Sequence, residues 1–338
     1  MSEMRNDIFA NRWVIVEMTP AVEMSALRFR RFAPLAAGCQ FCEHHEDETP
    51  PEIFAIRKPG SPANGPGWSV RVVPSARPRL RVEGGLDRRA EGFHDLMNGI
   101  GAHEVIIETP RHDQSLHQME AAEIANLLRA CVARILDLRK DERMRYALIF
   151  KNHGEDAGAH TTGHSISQLM ALPVTPRSIT SKLNVARDYY AAKERCIYCD
   201  VLRQELKDQR RLVGENADFV AIAPFASRFP FEMAIFPKHH SSDFSRTPPE
   251  AIDNLARLLR EVLGRLDRAL GSPPYNLALQ DSPRLRRKAG YWATIEQDFH
   301  WHLEILPQVF PTEGFEWASG FYYNPVSPEA AAKCLSDQ

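Results

Sequence analysis

Two kinds of hydrophobic pattern run along the chain. Short apolar runs read as strands at Trp68–Val73, which alternates and stops at Pro74, at Glu104–Thr109 and at Tyr146–Phe150. Further runs of this kind are Phe219–Pro224, Glu232–His240 and Tyr275–Leu279, and alternation is what a half-buried strand requires. A longer period marks two amphipathic helices. Met119–Leu138 carries Ile124, Leu127, Leu128, Cys131, Val132 and Ile135 at helical spacing. The segment after Thr247 carries Leu255, Leu258, Leu259, Val262 and Leu266 on one face. Thr247 is the expected N-cap of that second helix, with prolines in its first turn and Glu250 completing a capping box. Residues 5–16 read as a turn into a short strand, 17–38 as irregular and basic, and the Pro- and Gly-rich stretch 59–67 as a loop.

The order of these elements occurs twice. Cys39-x-x-Cys42, a strand ending at proline, a strand with Glu104 and His112, a helix, a strand and a strand led by His164 make the first set. Cys196-x-x-Cys199, a strand ending at Pro224, a strand with Glu232 and His240 at the same spacing, a helix, a strand and a strand led by His300 make the second. An internal duplication follows, with its boundary near 177–192, a first half over 1–180 and a second over 190–338. Strands and a long helix without regular β-α alternation predict an α+β fold, each half an antiparallel sheet with a long packed helix.

Composition narrows the class of function. The 338 residues are 43% hydrophobic and 25% charged, with a formal net charge of -2, as in an ordinary soluble globular protein. Nothing in this balance favours nucleic acid. The basic run Arg284–Lys288 reads as a solvated loop, with phosphate contact as its alternative. The N-terminus has no apolar signal region and no window approaches a membrane span, so a cytoplasmic location and no membrane partner are expected.

Four of the six cysteines form two Cys-x-x-Cys pairs. In a chain without a signal peptide such pairs favour metal or redox use over disulfides. Thioredoxin-type chemistry is disfavoured because neither pair is expected to open a helix in a βα pattern. A four-coordinate zinc takes thiolates and imidazoles from separate parts of a chain. The first half offers Cys39, Cys42, His112 and His164, and the second offers Cys196, Cys199, His240 and His300. Buried free thiols with satisfied histidines are the plain alternative, and the recurrence of the whole set in order favours metal. His240 is preferred over His239 because the duplication aligns it with His112.

The run Asp298–Pro307 holds two histidines, His300 and His302, whose rings alternation places on one strand face with Glu304 following. Its echo, Gly163–Leu169, keeps His164 but has Ile166 at the second position and Gln168 after it.

With these residues in view, the chain resembles the galactose-1-phosphate uridylyltransferase family, a duplicated branch of the histidine-triad superfamily. The likeness covers nearly the whole chain. It rests on Arg5, Asp7, Arg12, Trp13 and Val14, on Val70–Pro74, and on Glu104–Thr109 with Pro110 and His112. It rests also on Lys151-Asn152-x-Gly154, His164-x-x-x-Gln168, His300-Trp301-His302 and the terminal Gly314–Pro325 stretch. The resemblance implies two histidine-triad-like halves, a structural zinc, and nucleotidyl transfer between nucleotide sugars and sugar 1-phosphates, with a homodimer as the form of assembly. It also implies roles. His164 is a zinc ligand, Gln168 a donor to phosphate oxygen, Asn152 a phosphate or nucleotide contact, and Arg71 and Ser75 lie in the loop that holds base and ribose. In the family the second histidine of a His-x-His-x-Gln strand attacks the α-phosphorus, and a neutral imidazole suits that step.

Here the chain departs. Ile166 holds the nucleophile position and cannot attack phosphorus, Ser75 stands where Asn is usual, and the turn 158–164 is longer than the family's. Three outcomes stay open on sequence alone. His160 could substitute. The chemistry could move to His302, with Asn276 and Lys238 facing phosphate and Glu304 at the position of Gln168. Or the protein could bind nucleotide or nucleotide sugar without catalysis, or act as a scaffold, with His302 a structural or metal-binding residue.

Overall fold

The computed structural model describes residues 2–22, 27, 29, 38–159, 163–283 and 292–338. His160 and the Arg284–Lys288 run lie outside the described residues. In chain order the strands and helices are β1 (Ser2–Asp7), β2 (Arg12–Glu17), β3 (Phe54–Arg57), β4 (Trp68–Pro74), β5 (Arg89–Glu91), β6 (His94–Leu96), β7 (Ala102–Ile107), α1 (Ala121–Leu138), β8 (Tyr146–His153) and β9 (Ile166–Leu172). There follow α2 (Arg177–Lys193), α3 (Ile197–Asp208), β10 (Leu212–Glu215), β11 (Phe219–Ile222), β12 (Met233–Pro237), α4 (Pro249–Leu270) and β13 (Tyr275–Gln280). The chain ends with α5 (Ile295–Asp298), β14 (His302–Pro307), α6 (Gly314–Ser319), β15 (Tyr322–Asn324) and α7 (Pro328–Ser336).

Ten of these strands form one sheet in the order β10-β11-β12-β14-β13-β8-β9-β7-β4-β3. The two expected sheets are therefore one. Reading outward from the centre, β13-β14-β12-β11-β10 repeats β8-β9-β7-β4-β3 element for element, with α4 and α1 at equivalent points of the chain. The seam is the antiparallel pair β13·β8, where Asn276 faces Asn152 and Leu277 faces Lys151. Joining edge to edge gives the central strand of each half a ladder partner and leaves no open edge at the middle of the molecule. The N-terminal strands also cross the linear division at 180–190: β2 pairs in parallel with β15, and Phe9, in the β1–β2 turn, stacks 4.5 Å from Tyr198 of α3.

One face of the sheet is covered by α1 and α4, which pack against each other. Leu255, Leu258, Leu259, Val262 and Leu266 are buried there together with Ile124, Leu127, Leu128 and Ile135, the positions that helical spacing had marked. Each such side chain contributes about 1.5–3 kcal/mol on leaving water. The long helix starts later than expected. Thr247 closes a 3-10 turn at Phe244–Arg246, Pro248 is the N-cap, and no side chain caps α4. Pro249 at the first turn supplies the fixed φ in its place. A second departure lies at Cys196, which is the N-cap of α3, so this Cys-x-x-Cys does open a helix, though one that follows α2 and not a strand. Strand β14 begins at His302, and His300 precedes it.

The other face differs between the halves. Over β13, β14 and β12 it is covered by α2 and α3, with Leu183 and Ala186 of α2 and Tyr198 of α3 packed on Phe236 and Phe299. Over the facing parts of β8, β9 and β7 a cleft of about 930 Å³ opens instead. Among the described residues no helix is long and apolar enough to cross a membrane.

Candidate functional site

The cleft is lined by Phe41, Val73–Ala76, Arg77 and Arg79 on one side and by Lys151–Gly154, His164, Ile166 and Gln168 on its floor. Strand alternation explains the floor. Ser165, Ser167 and Leu169 of β9 and its lead-in are buried, while Ile166 and Gln168 face the other way and stay half exposed. Four buried polar residues hold the start of this strand. Lys151 Nζ donates to Glu108 Oε2 at 2.8 Å, Ser165 Oγ at 2.9 Å and the Ile166 carbonyl at 3.1 Å. Ser165 and Ser167 donate to the two oxygens of Glu108 at 2.6 and 2.5 Å. Burial raises the Glu108 carboxyl, but the charge and hydrogen bond of Lys151 and the two serines outweigh it and hold the group below the usual carboxylate range. This network has no signal in the apolar pattern, because its members sit at inward strand positions where hydrophobic residues are expected.

At the rim, Cys39 and Cys42 Sγ, His112 Nδ1 and His164 Nδ1 lie within 4.8 Å of one another. Sulfur-to-nitrogen separations are 3.7 Å (Cys39–His164), 3.5 Å (Cys42–His112) and 3.7 Å (Cys42–His164). Zinc–sulfur and zinc–nitrogen bonds at tetrahedral angles span about 3.6 Å edge to edge. The outer ring nitrogen is also accounted for. His164 Nε2 lies 2.8 Å from the Thr109 carbonyl, so it carries the proton and Nδ1 presents its lone pair to the cluster. Burial above all pushes His164 down to about 4, which keeps the ring neutral as a ligand must be. Burial and the neighbouring Cys39 push the Cys42 thiol up to about 11, a cost that a divalent cation would relieve.

The second cluster repeats this arrangement. Cys196, Cys199, His240 and His300 also fall within 4.8 Å of one another. Cys199 Sγ is 3.4 Å from His240 Nδ1 and 3.6 Å from His300 Nδ1, while the outer nitrogens meet the carbonyls of Glu296 at 3.0 Å and Pro237 at 2.9 Å. The hydrogen bond from Cys196 above all holds the Cys199 thiol below its usual range. Both donor sets suit a four-coordinate, borderline-soft divalent ion.

The remaining residues singled out by sequence divide sharply. Ser75, Asn152 and Gln168 line the cleft. Arg71 does not: it is 1% exposed, and its guanidinium is spent on Glu52, Thr49 and the Glu46 carbonyl. Asn152 has its oxygen occupied by Asn276 Nδ2 at 2.9 Å and donates to the Gly158 carbonyl at 3.2 Å, so it braces the loop after β8. Gly154 in that loop has φ 83°, and a Cβ there would sit 2.8 Å from Pro274 Cβ, so only glycine fits. Asn276 bonds Asn152 and the Ala157 carbonyl at the seam, and Lys238 pairs with Glu215 on the surface.

His302 is in the wrong surroundings for a nucleophile. It shares a face with Glu304, as alternation requires, but this is the face that α2 and α3 cover, and the ring is 2% exposed. Lys182 Nζ of α2 lies 3.0 Å from His302 Nε2, and His302 Nδ1 meets the His300 carbonyl at 3.0 Å. Burial first, then the Lys182 charge, push the imidazole down to about 4. Lys182 and Arg228 together hold Glu304 well below the carboxylate range against its own burial. Both ring nitrogens are engaged by groups among the described residues. His302 is the second-half counterpart of Ile166, with the cleft that would serve it filled by protein.

Sequence models of the C-terminal and N-terminal domains of galactose-1-phosphate uridyl transferase match residues 182–309 and 91–176. The chain is 34% identical to an ADP-glucose phosphorylase of Arabidopsis thaliana over 99% of its own length and 92% of that protein's. It is 30% identical to a galactose-1-phosphate uridylyltransferase of Thermotoga maritima, over 70% of its own length and 74% of the relative's. The crystal structure of an Arabidopsis thaliana ADP-glucose phosphorylase with bound ADP-glucose superposes with a TM-score of 0.82 at 33% identity, covering 100% of this chain and 99% of that one. With its duplicated sheet, paired Cys/His clusters and full-length similarity, the chain belongs to the galactose-1-phosphate uridylyltransferase family.

Proposed function

We propose that the first-half cleft takes a nucleotide sugar and transfers its nucleotidyl group to a phosphate compound in one step, with no covalent histidyl intermediate. The observation that carries this is Ile166, which faces the cleft two residues after His164 and beside Gln168. In a one-step transfer an oxygen of inorganic phosphate or of a sugar 1-phosphate forms the new bond to the α-phosphorus. The bond from that phosphorus to the bridging oxygen breaks, and the original sugar 1-phosphate leaves. The attacking oxygen is already an anion and the leaving group is a phosphate, so neither a general base nor a general acid is required. What remains for the protein is positioning and charge stabilisation, which are the large terms in phosphoryl-type transfer. Gln168 would donate to a non-bridging oxygen, and Ser75 would contact the nucleoside at the other wall.

Zinc is the ion proposed for both clusters. It would be held by Cys39, Cys42, His112 and His164 in one half and by Cys196, Cys199, His240 and His300 in the other. There it supplies cross-links and no reaction step. The first ties the Phe41 wall of the cleft to the floor strand, and the second ties α3 to the lead-in of β14.

The test is incubation with α-phosphorus-labelled ADP-glucose or UDP-glucose together with inorganic phosphate or galactose 1-phosphate. Nucleotide product without acid-labile label on the protein supports one-step transfer, and label on the protein contradicts it. A second reading, a nucleotide-sugar-binding homologue without catalysis, is favoured by the engagement of Lys151 and Asn152 with protein groups. Binding of both nucleotide sugars with no turnover under any acceptor would select it.

A further inference from the structure

His103 is buried at the start of β7 and has no part in either metal cluster. Its Nδ1 lies 3.2 Å from the backbone nitrogen of Arg79, in the loop that forms one wall of the cleft. Its Nε2 lies 2.9 Å from Gln168 Oε1 on the cleft floor. A backbone N–H can only donate, so Nδ1 must be the unprotonated nitrogen, and Nε2 then carries the ring's proton. That proton requires an acceptor across from it, and this fixes which end of the Gln168 amide faces His103. Oxygen turns inward, and Nε2 turns outward to the cleft. Among the described residues no protein group accepts from Gln168 Nε2.

We infer that His103 is a positioning residue that locks the Gln168 amide with its N–H groups toward the cleft, so that the site presents a donor and not an acceptor to an anionic phosphate. The inference rests on the reading of the cleft as a nucleotide-sugar site. Without the lock, an amide rotates between two states of similar shape, and one of them sets a carbonyl oxygen against phosphate. The same imidazole couples the wall to the floor, because one ring nitrogen holds the Arg79 backbone and the other holds Gln168.

Two measurements test this. In the free protein, long-range nitrogen–proton NMR correlations of His103 should show the Nε2–H tautomer, and the Nδ1–H tautomer would overturn the inference whatever the cleft binds. Calorimetric titration with ADP-glucose and UDP-glucose gives the second arm. A hydrogen bond to a charged group corresponds to about ten- to hundredfold in affinity. His103→Leu and Gln168→Leu should each weaken binding to that extent, and the double variant should be no weaker than Gln168→Leu alone, since His103 acts through Gln168. His103→Gln, which keeps a donor and an acceptor, should recover part of the affinity and serves if the leucine variant does not fold. Additive losses in the double variant, or full affinity in His103→Leu, would show that His103 does not act through Gln168. Failure of the unaltered protein to bind either nucleotide sugar would instead remove the functional reading, leaving the tautomer result to stand on its own.

Discussion

Lys182 Nζ points at His302 Nε2 across 3.0 Å, and neither side chain reaches solvent. The same ammonium donates to Glu304 and Gln280, so a lysine from α2 occupies, over β14, the space that in the first half is open cleft. The two halves share strand order and metal-ligand pattern, yet among the described residues the cleft lies over the first-half strands and α2 and α3 lie over the matching second-half strands. The duplication has become a division of form: one half keeps an open cleft, and the matching face of the other is covered by α2 and α3.

Removing the lysine should therefore show as lost stability. Lys182→Met leaves Glu304 paired with Arg228 among the described residues and strips His302 of its donor. Breaking a buried charge pair in this way costs about 3 kcal/mol or more. Denaturant unfolding at neutral pH measures it, and the affinity of the first-half cleft for nucleotide sugar should not change. A loss of that affinity with no loss of stability would point to a role for this cluster in the site.

Metal analysis should find two bound divalent ions per chain, in keeping with the two donor sets. Cys42→Ser and Cys199→Ser should each remove one ion and leave the other, because no ligand is shared. Loss of a structural ion also lowers stability, so chelation should shift the unfolding midpoint of the unaltered protein downward. A single ion that survives either substitution would contradict the assignment.

His153 gives a pH-dependent signature. It stacks 4.7 Å from Tyr275 at the seam, and burial above all, followed by the Lys151 charge, takes its imidazole from 6.5 down to about 4. The unfolded chain takes up this proton first as pH falls, so the contribution of His153 to stability is lost between about pH 6.5 and pH 4 and is constant above. His153→Phe lacks the effect. Its stability relative to the unaltered protein should rise on acidification across that window, by up to about 1.4 kcal/mol per pH unit. A difference that stays flat from pH 7 to 4 would show that His153 titrates normally in the folded protein.

Ile166→His places an imidazole on the cleft floor beside Gln168 and above the Lys151–Glu108–Ser165 frame. If that frame is otherwise intact, the variant should acquire an acid-labile nucleotidyl label from nucleotide sugar that the unaltered protein does not show. No label in a folded, nucleotide-binding variant would mean that the strand no longer presents this position to the α-phosphorus.

Much of this was legible in the sequence because repetition supplied a second reading of each motif. The clusters at Cys39 and Cys196 were found by their order of recurrence, although their ligands are spread over more than a hundred residues. The α1 and α4 faces followed from helical spacing. What sequence could not show was how the second face of the sheet is covered. His302 and Ile166 occupy matching strand positions, and only the packing of α2 and α3 decides that one is sealed. The family resemblance implied a nucleotide contact for Arg71, but its guanidinium is taken up by Glu52 and Thr49. His103 was passed over for a related reason: its partner Gln168 lies on a strand 65 residues away in sequence. Thr247 failed as a cap because the two prolines that follow it shift the helix start by one turn residue.

The stereochemistry at the α-phosphorus tests the central claim most directly. A nucleotide sugar made chiral at that phosphorus with sulfur or oxygen isotopes is converted by the protein with phosphate as acceptor, and the configuration of the product is read by phosphorus NMR. One in-line displacement inverts the centre, whereas two displacements through a covalent intermediate retain it. With Ile166 in the cleft and His302 sealed, inversion is the result expected; retention would mean that a nucleophile of the protein takes part after all.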